Sequence, residues 1–213
     1  PDEPMKFEYA INGGKWQNVV SEVPVAQIEL PVEDTKTITV KVKNKSANML
    51  FSRVILDGIP AIGEEESQAN DLKMHIRYTD MDGDEIDPDQ IEQGTDFRAI
   101  VSLTHPGIRK HYEELALTQI FPSGWEIHNF RLDRTSNYQE DYDTPEYQDI
   151  RDDRVYTYFD LRRGDTKQFV FQLNATYLGR YYLPAVRCEA MYDRSISAQK
   201  EGRWVEVVKP GSN

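Results

Sequence analysis

The chain has 213 residues, with 25 Lys and Arg against 37 Asp and Glu, a formal net charge of −12. That balance argues against partners that need clustered positive charge, phosphate backbones and anionic lipid, and no nucleic-acid partner is expected. The length suits one large or two small domains with a core that needs no staples, and one cysteine excludes an internal disulfide and a cysteine-built metal cage. No apolar run approaches the roughly 18 residues of a membrane-spanning helix.

The chain opens on "PDEPMKFEYA", which has neither the basic start nor the apolar stretch of a secretory signal. With its loose polar start and its close on "KPGSN", it is expected to be a piece of a longer protein whose targeting signal lies elsewhere. Alternation of period two dominates from there. "TKTITVKVKN" puts Ile38, Val40 and Val42 on one face and Thr37, Thr39, Lys41 and Lys43 on the other. Residues 1–62 are marginal as an independent domain and are expected to be half of one. The polar, acidic "GEEESQAN", residues 63–70, is the expected linker. Residues 71–213 then have a comfortable length for a β-sandwich.

Within that second part, "DMDGDEID" at 80–87 suggests a calcium loop through Asp80, Asp82 and Asp84. An EF-hand needs Gly at its sixth position and Glu at its twelfth; counting from Asp80, Gly is fourth and Ile91 is twelfth. A hairpin with an Asp-Gly turn is the preferred reading. "DFRAIVSLT", "VYTYFDL" and "KQFVFQLNATYL" are aromatic and β-branched, the last aligning Phe169, Phe171, Leu173 and Ala175. Turn signals at Asn12-Gly13-Gly14, Asp82-Gly83, Pro122-Ser123-Gly124 and Arg163-Gly164-Asp165 separate the runs. The spacing predicts an all-β fold, an antiparallel sandwich preceded by a smaller β-rich part-domain. Residues 133–153, acidic and tyrosine-rich, are expected to form a long solvent-exposed loop. "RDDR" at 151–154 is expected to be structural. Arg151 and Arg154 would pair with Asp152, Asp153 or the acidic loop and pin it to the sandwich.

No enzyme is expected. His75, His105, His111 and His128 lie in no nucleophile motif, G-x-S-x-G is absent, and His105 and His111 are poorly spaced for zinc. These histidines are expected at the surface or half-buried. No glycine-rich phosphate loop occurs, and no cofactor is expected. The cysteine lies in "YYLPAVRCEAMY". Strict alternation puts Tyr182, Pro184, Val186, Cys188, Ala190 and Tyr192 on one face, and Tyr181, Leu183, Ala185, Arg187, Glu189 and Met191 on the other. The first set is the more apolar, so Cys188 is expected in the core as a small hydrophobe. Met191 is expected outward at a strand end, a mild interface signal.

"LFSRVILDGIPAIG", "RYTDMDGDEIDPDQIEQGTDF", "LALTQIFPSGWEIHNFRL", "DIRDDRVYTYFDL" and "GRYYLPAVRCEAMYDRSISA" follow one another as at the C-terminal end of bacterial alpha-2-macroglobulins, which the chain resembles over about residues 50–198. The resemblance implies that residues 71–213 are the last macroglobulin-like sandwich. Residues 1–62 would be the returning half of a CUB-like domain, and 63–70 the linker. It implies a parent that traps proteases after bait-region cleavage, located in the bacterial envelope, the periplasm, with a lipid anchor at the missing N-terminus as an option. Many members carry a C-x-E-Q thioester. This chain has none, and Cys188 in "RCEA" is not that cysteine. The fragment would neither inhibit nor label a protease alone. Its partner would be the upstream thioester domain, target proteases being met only through the parent. The positions matching the family's Tyr and Met cover of the thioester are Met191 and Tyr192, which meet one pocket only if the strand ends or bulges there. The competing classes are an adhesion or scaffold sandwich and a calcium- or carbohydrate-binding β-domain. Against the sugar reading, Trp16, Trp125 and Trp204 are scattered.

Overall fold

The computed structural model describes residues 4–30, 37–55, 58, 61–128 and 142–211. All its regular elements are strands. The chain divides into two compact units, Pro1–Gly58 and Ile59–Asn213.

In the first unit, β1 (Met5–Ile11), β2 (Gln17–Ser21) and β3 (Val40–Asn44) form an antiparallel sheet in the order β2-β1-β3. Asn12 and Gly13 adopt φ of 50° and 73°, left-handed values that asparagine and glycine tolerate best, and this reverses the chain after β1. Among the described residues here only Phe7 and Ala10 are buried apolar side chains. Val20, Val25, Met49 and Phe51 are exposed by 64, 74, 80 and 87%, a large apolar surface for three strands to leave in water.

The second unit is a sandwich of three sheets. The largest has the order β10-β11-β8-β14-β15-β4, from β4 (Gln68–Asn70), β8 (Tyr112–Ile120), β10 (Tyr147–Ile150), β11 (Arg154–Leu161), β14 (Val186–Ala190) and β15 (Ser197–Lys200). The second has the order β5-β7-β12-β9, from β5 (Lys73–Thr79), β7 (Asp96–Thr104), β9 (Trp125–Ile127) and β12 (Thr166–Ala175). The third joins β13 (Gly179–Leu183), β16 (Arg203–Val208) and β6 (Gln90–Glu92), with β16 and β6 parallel. Alternate residues of the strands meet in one core. Phe159 of β11 packs on Phe169 of β12 with ring centroids 4.7 Å apart, and Trp125 stands edge-on to Phe97 at 4.9 Å.

Several elements differ from expectation. Gln68–Asn70, in the stretch read as linker, is the edge strand β4 paired with β15. Tyr147–Ile150, inside the expected loop, is the edge strand β10 paired with β11. Both are edge strands too short to show a period: β4 has three residues, all exposed, and β10 has four, with Tyr147 exposed and Gln148 to Ile150 half-buried. Residues 133–141 of that loop lie outside the described residues. The single register drawn from 181 to 192 also breaks. The chain turns at Pro184 and Ala185, so β13 and β14 belong to different sheets and the alternation restarts. Leu183 is therefore buried and not outward. His105, expected exposed or half-buried, is buried in the turn that follows β7.

Candidate functional site

Strand β8 sets the geometry. It pairs with β11 through Phe159↔Leu115 and then Leu161↔Tyr112, so Glu113 and Glu114 together lie opposite Asp160, a β-bulge. Glu114 adopts φ 55°, unusual for a residue with a Cβ. Its N–H leaves the ladder and donates to the Asp160 carboxylate at 2.9 Å, and its carbonyl accepts the Met191 N–H at 3.0 Å. The bulge thus carries the end of β14 one residue beyond its last ladder pair, Ala190↔Leu115, and the chain reverses there into β15.

The reversal is tightly bonded. Ala190 N–H donates to Ile196 O and Ile196 N–H to Asp193 O, each at 3.0 Å. The Asp193 carboxylate accepts the Ser195 N–H at 3.0 Å and the Ser195 hydroxyl. These bonds, with the Arg109 guanidinium beside them, hold the Asp193 carboxyl below the usual carboxylate range. Met191 and Tyr192 protrude from this loop, 52% and 86% exposed. Tyr192, which strict alternation put on the Cys188 face, is outward instead, because β14 ends at Ala190 and the alternation stops there. Both members of the pair thus face solvent from one strand end, an apolar and aromatic projection on a loop bonded at both ends.

Two groups that sequence reasoning did not single out complete the site. Arg109, in the loop between β7 and β8, donates from Nε to Asp71 at 2.6 Å and from one terminal nitrogen to Asp193 and Ser195, each at 3.1 Å. Asp71, between β4 and β5 at φ 53°, offers its carbonyl to the Tyr112 hydroxyl at 2.7 Å. Tyr112 stacks on His105 with centroids 3.8 Å apart. The His105 ring accepts the Gly107 N–H at Nδ1 and bonds Lys110 O through Nε2 at 2.7 Å, so the buried imidazole shapes the loop that carries Arg109. A left-handed glutamate has no sequence signature, and these charge partners are far apart in the chain.

Cys188 lies on β14 between Leu117 of β8 and Ala198 of β15 and is fully buried. Burial pushes its thiol well above the ordinary range, which suppresses the nucleophilic thiolate. Arg154 grips Asp153 through two bonds, at 2.9 and 2.6 Å. Arg151 binds Asp149, not Asp152, and its N–H closes the β10–β11 turn on Arg154 O at 2.9 Å. This turn is at the far end of β8 from Met191, about 17 Å along the strand from Leu115 to Ile120. Asp80 accepts three backbone N–H groups, from Asp82, Gly83 and Asp84, on one carboxylate oxygen at 2.8 to 2.9 Å. It caps a hairpin whose Gly83 has φ 100°. Among the described residues no three His, Cys, Asp or Glu side chains are grouped to hold a metal ion.

The profile of the bacterial alpha-2-macroglobulin MG10 domain matches residues 72–194. The alpha-2-macroglobulin homolog of Yersinia pestis is 26% identical over 166 residues, covering 68% of this chain and 8% of that protein. The chain therefore spans a small part of that relative's length. Native alpha-2-macroglobulin of Escherichia coli, in a crystal structure running from domain MG7 to the C-terminus, superposes over 98% of this chain and 34% of that one. Its TM-score is 0.62 at 15% identity. Salmonella alpha-2-macroglobulin reacted with methylamine gives a TM-score of 0.60 at 16% identity, over 99% of this chain and 14% of that one. A sandwich that fits the MG10 profile over more than half of the sequence places this chain in the bacterial alpha-2-macroglobulin family.

Proposed function

We propose that this chain is the C-terminal part of a bacterial broad-spectrum protease trap, and that its β14–β15 loop shields the thioester of the same parent protein. The observation that carries this reading is the exposure of Met191 and Tyr192, side by side, on a loop pinned to the Glu114 bulge. A thioester carbonyl persists only where water and amines are kept from it. A rigid apolar projection does this without catalytic chemistry of its own. The loop supplies a thioether and a phenol, while its nearest thiol, Cys188, is buried and held protonated. The Salmonella relative reacts with methylamine, the small nucleophile that such a cover would have to exclude.

In this reading the fragment neither inhibits nor labels a protease. The sandwich acts through the upstream thioester domain. Residues 1–62 are the returning half of a CUB-like domain, and 71–213 the last macroglobulin-like domain. The apolar surface left by the first unit supports a half-domain completed by strands elsewhere in the parent. The parent works in the bacterial envelope, in the periplasm. The test is the rate at which the full-length parent takes up methylamine without any protease. Met191→Ala and Tyr192→Ala should each raise that rate several-fold while leaving the melting temperature of the sandwich within a few degrees. Equal rates in wild type and both variants would overturn the shielding role.

A further inference from the structure

The loop that bears Met191 and Tyr192 has few apolar contacts of its own. Residues 191–195 are all exposed, and the first side chain to enter the core after Ala190 is Ile196. Burial therefore does not fix the direction in which the pair points. Backbone bonds fix its two ends, at Met191 and at Ile196. Its middle is held by side chains, and among the described residues one supplies the side-chain tie to the rest of the sandwich. Arg109 reaches from the β7–β8 loop and binds Asp71 at 2.6 Å with Nε, and Asp193 and Ser195 at 3.1 Å with a terminal nitrogen.

We propose that Arg109 is the positioning residue of the cover: it clamps the β14–β15 loop to the β4–β5 corner and thereby aims Met191 and Tyr192. This rests on the shielding reading of that loop, and it assigns the residue that makes the shield rigid. The guanidinium suits the task because its planar fork presents separate N–H groups to two carboxylates in fixed directions. A lysine ammonium on a flexible stem is a point charge and holds both partners less well. Each end of the clamp is itself anchored. The Arg109 loop is shaped by buried His105, and its Gly107 carbonyl accepts the Arg163 Nε–H at 2.7 Å. The Asp71 corner is fixed by the Tyr112 hydroxyl and by pairing with Ser197. Three segments far apart in the chain thus converge on one cation.

The three charges are part-exposed, so each ion pair is individually weak and screened by salt. The clamp should accordingly control a local motion and leave global stability nearly unchanged. The experiment uses the full-length parent carrying Arg109→Gln or Arg109→Lys, with Met191→Ala as reference. Hydrogen exchange of the peptide covering 189–197 reads the clamp directly. Protease-free methylamine uptake reads its consequence. Arg109→Gln should speed exchange in that peptide roughly fivefold, from the loss of two weak pairs and a hydrogen bond, with Arg109→Lys in between. High salt should speed exchange in the wild type and leave Arg109→Gln unchanged. Methylamine uptake should follow the same order. Unchanged exchange in Arg109→Gln overturns the clamp. Faster exchange with wild-type uptake, in a parent where Met191→Ala raises uptake, overturns the positioning role. Unchanged uptake in Met191→Ala itself removes the shielding reading, while the exchange data decide the clamp independently.

Discussion

Cys188 shows how a residue's neighbours decide its chemistry. It is the chain's single thiol and sits three residues before the exposed pair, yet β8 and β15 enclose it on both sides. Burial disfavours the thiolate and raises its pKa. Iodoacetamide at neutral pH should leave Cys188 unmodified in the native protein and label it fully after unfolding, as peptide-resolved mass spectrometry would show. Appreciable labelling of the native form would mean that β14 opens or packs otherwise. The inward position of Cys188 was legible from alternation, because Val186, Cys188 and Ala190 lie on one unbroken strand. The position of Leu183 was not, because the turn at Pro184 hands the chain to another sheet and no local pattern reports which sheet follows. Arg109 was invisible for a related reason. A charged residue in a loop is ordinary until the fold brings Asp71 and Asp193 to it.

At the scale of elements, the long strands could be read from sequence and the short edge strands could not. β7 and β12 are buried along most or alternate positions and announce themselves by β-branched and aromatic residues. β4 and β10 are three and four residues long, too short for a period, and are defined by their partners. The segment leading into β4 shows what holds such an edge. Gly63 N–H donates to Glu65 at 2.9 Å and to the Tyr182 hydroxyl at 3.1 Å, and Tyr182 donates to the Glu65 carboxylate. Farther along, the Gln199 side chain donates to Glu66 O at 2.9 Å. Nothing apolar in 61–67 is buried, so this strap is held by polar bonds alone. Tyr182→Phe should speed hydrogen exchange over 63–67 and leave β7 and β8 protected; no change would mean that the Gly63–Glu65 bond suffices. The Tyr182 hydroxyl, chiefly, holds the Glu65 carboxyl below its ordinary value of 4.5. A lowered acid stabilises the bonded form at pH above the ordinary value, and this contribution is lost as pH falls through the lowered one. The strap should therefore hold at neutral pH and loosen in acid, and Glu65→Gln should mimic at pH 7 the acid behaviour of the wild type in the same exchange measurement.

For the whole molecule, the two units differ in completeness. The second closes a core of aromatic and branched side chains within itself, whereas the first leaves much of its apolar surface exposed among the described residues. A cover of the proposed kind would need an exposed apolar pair, a rigid loop and a partner surface, and of these only the residue types of the pair are a sequence feature. Met191 and Tyr192 could be placed at a strand end, but the exposure of both follows from the turn after Ala190, whose first residue is bonded to Glu114 at a bulge that depends on the pairing of β8 with β11. The central claim is that this loop guards a reactive acyl group in the parent. The most direct measurement is methylamine incorporation into the full-length native parent, followed by intact mass, before and after a trace of protease. A shielded thioester predicts slow uptake before cleavage and rapid stoichiometric mass gain after it. No mass gain under either condition would contradict the account and leave the loop as a solvent-facing turn with no acyl group to guard.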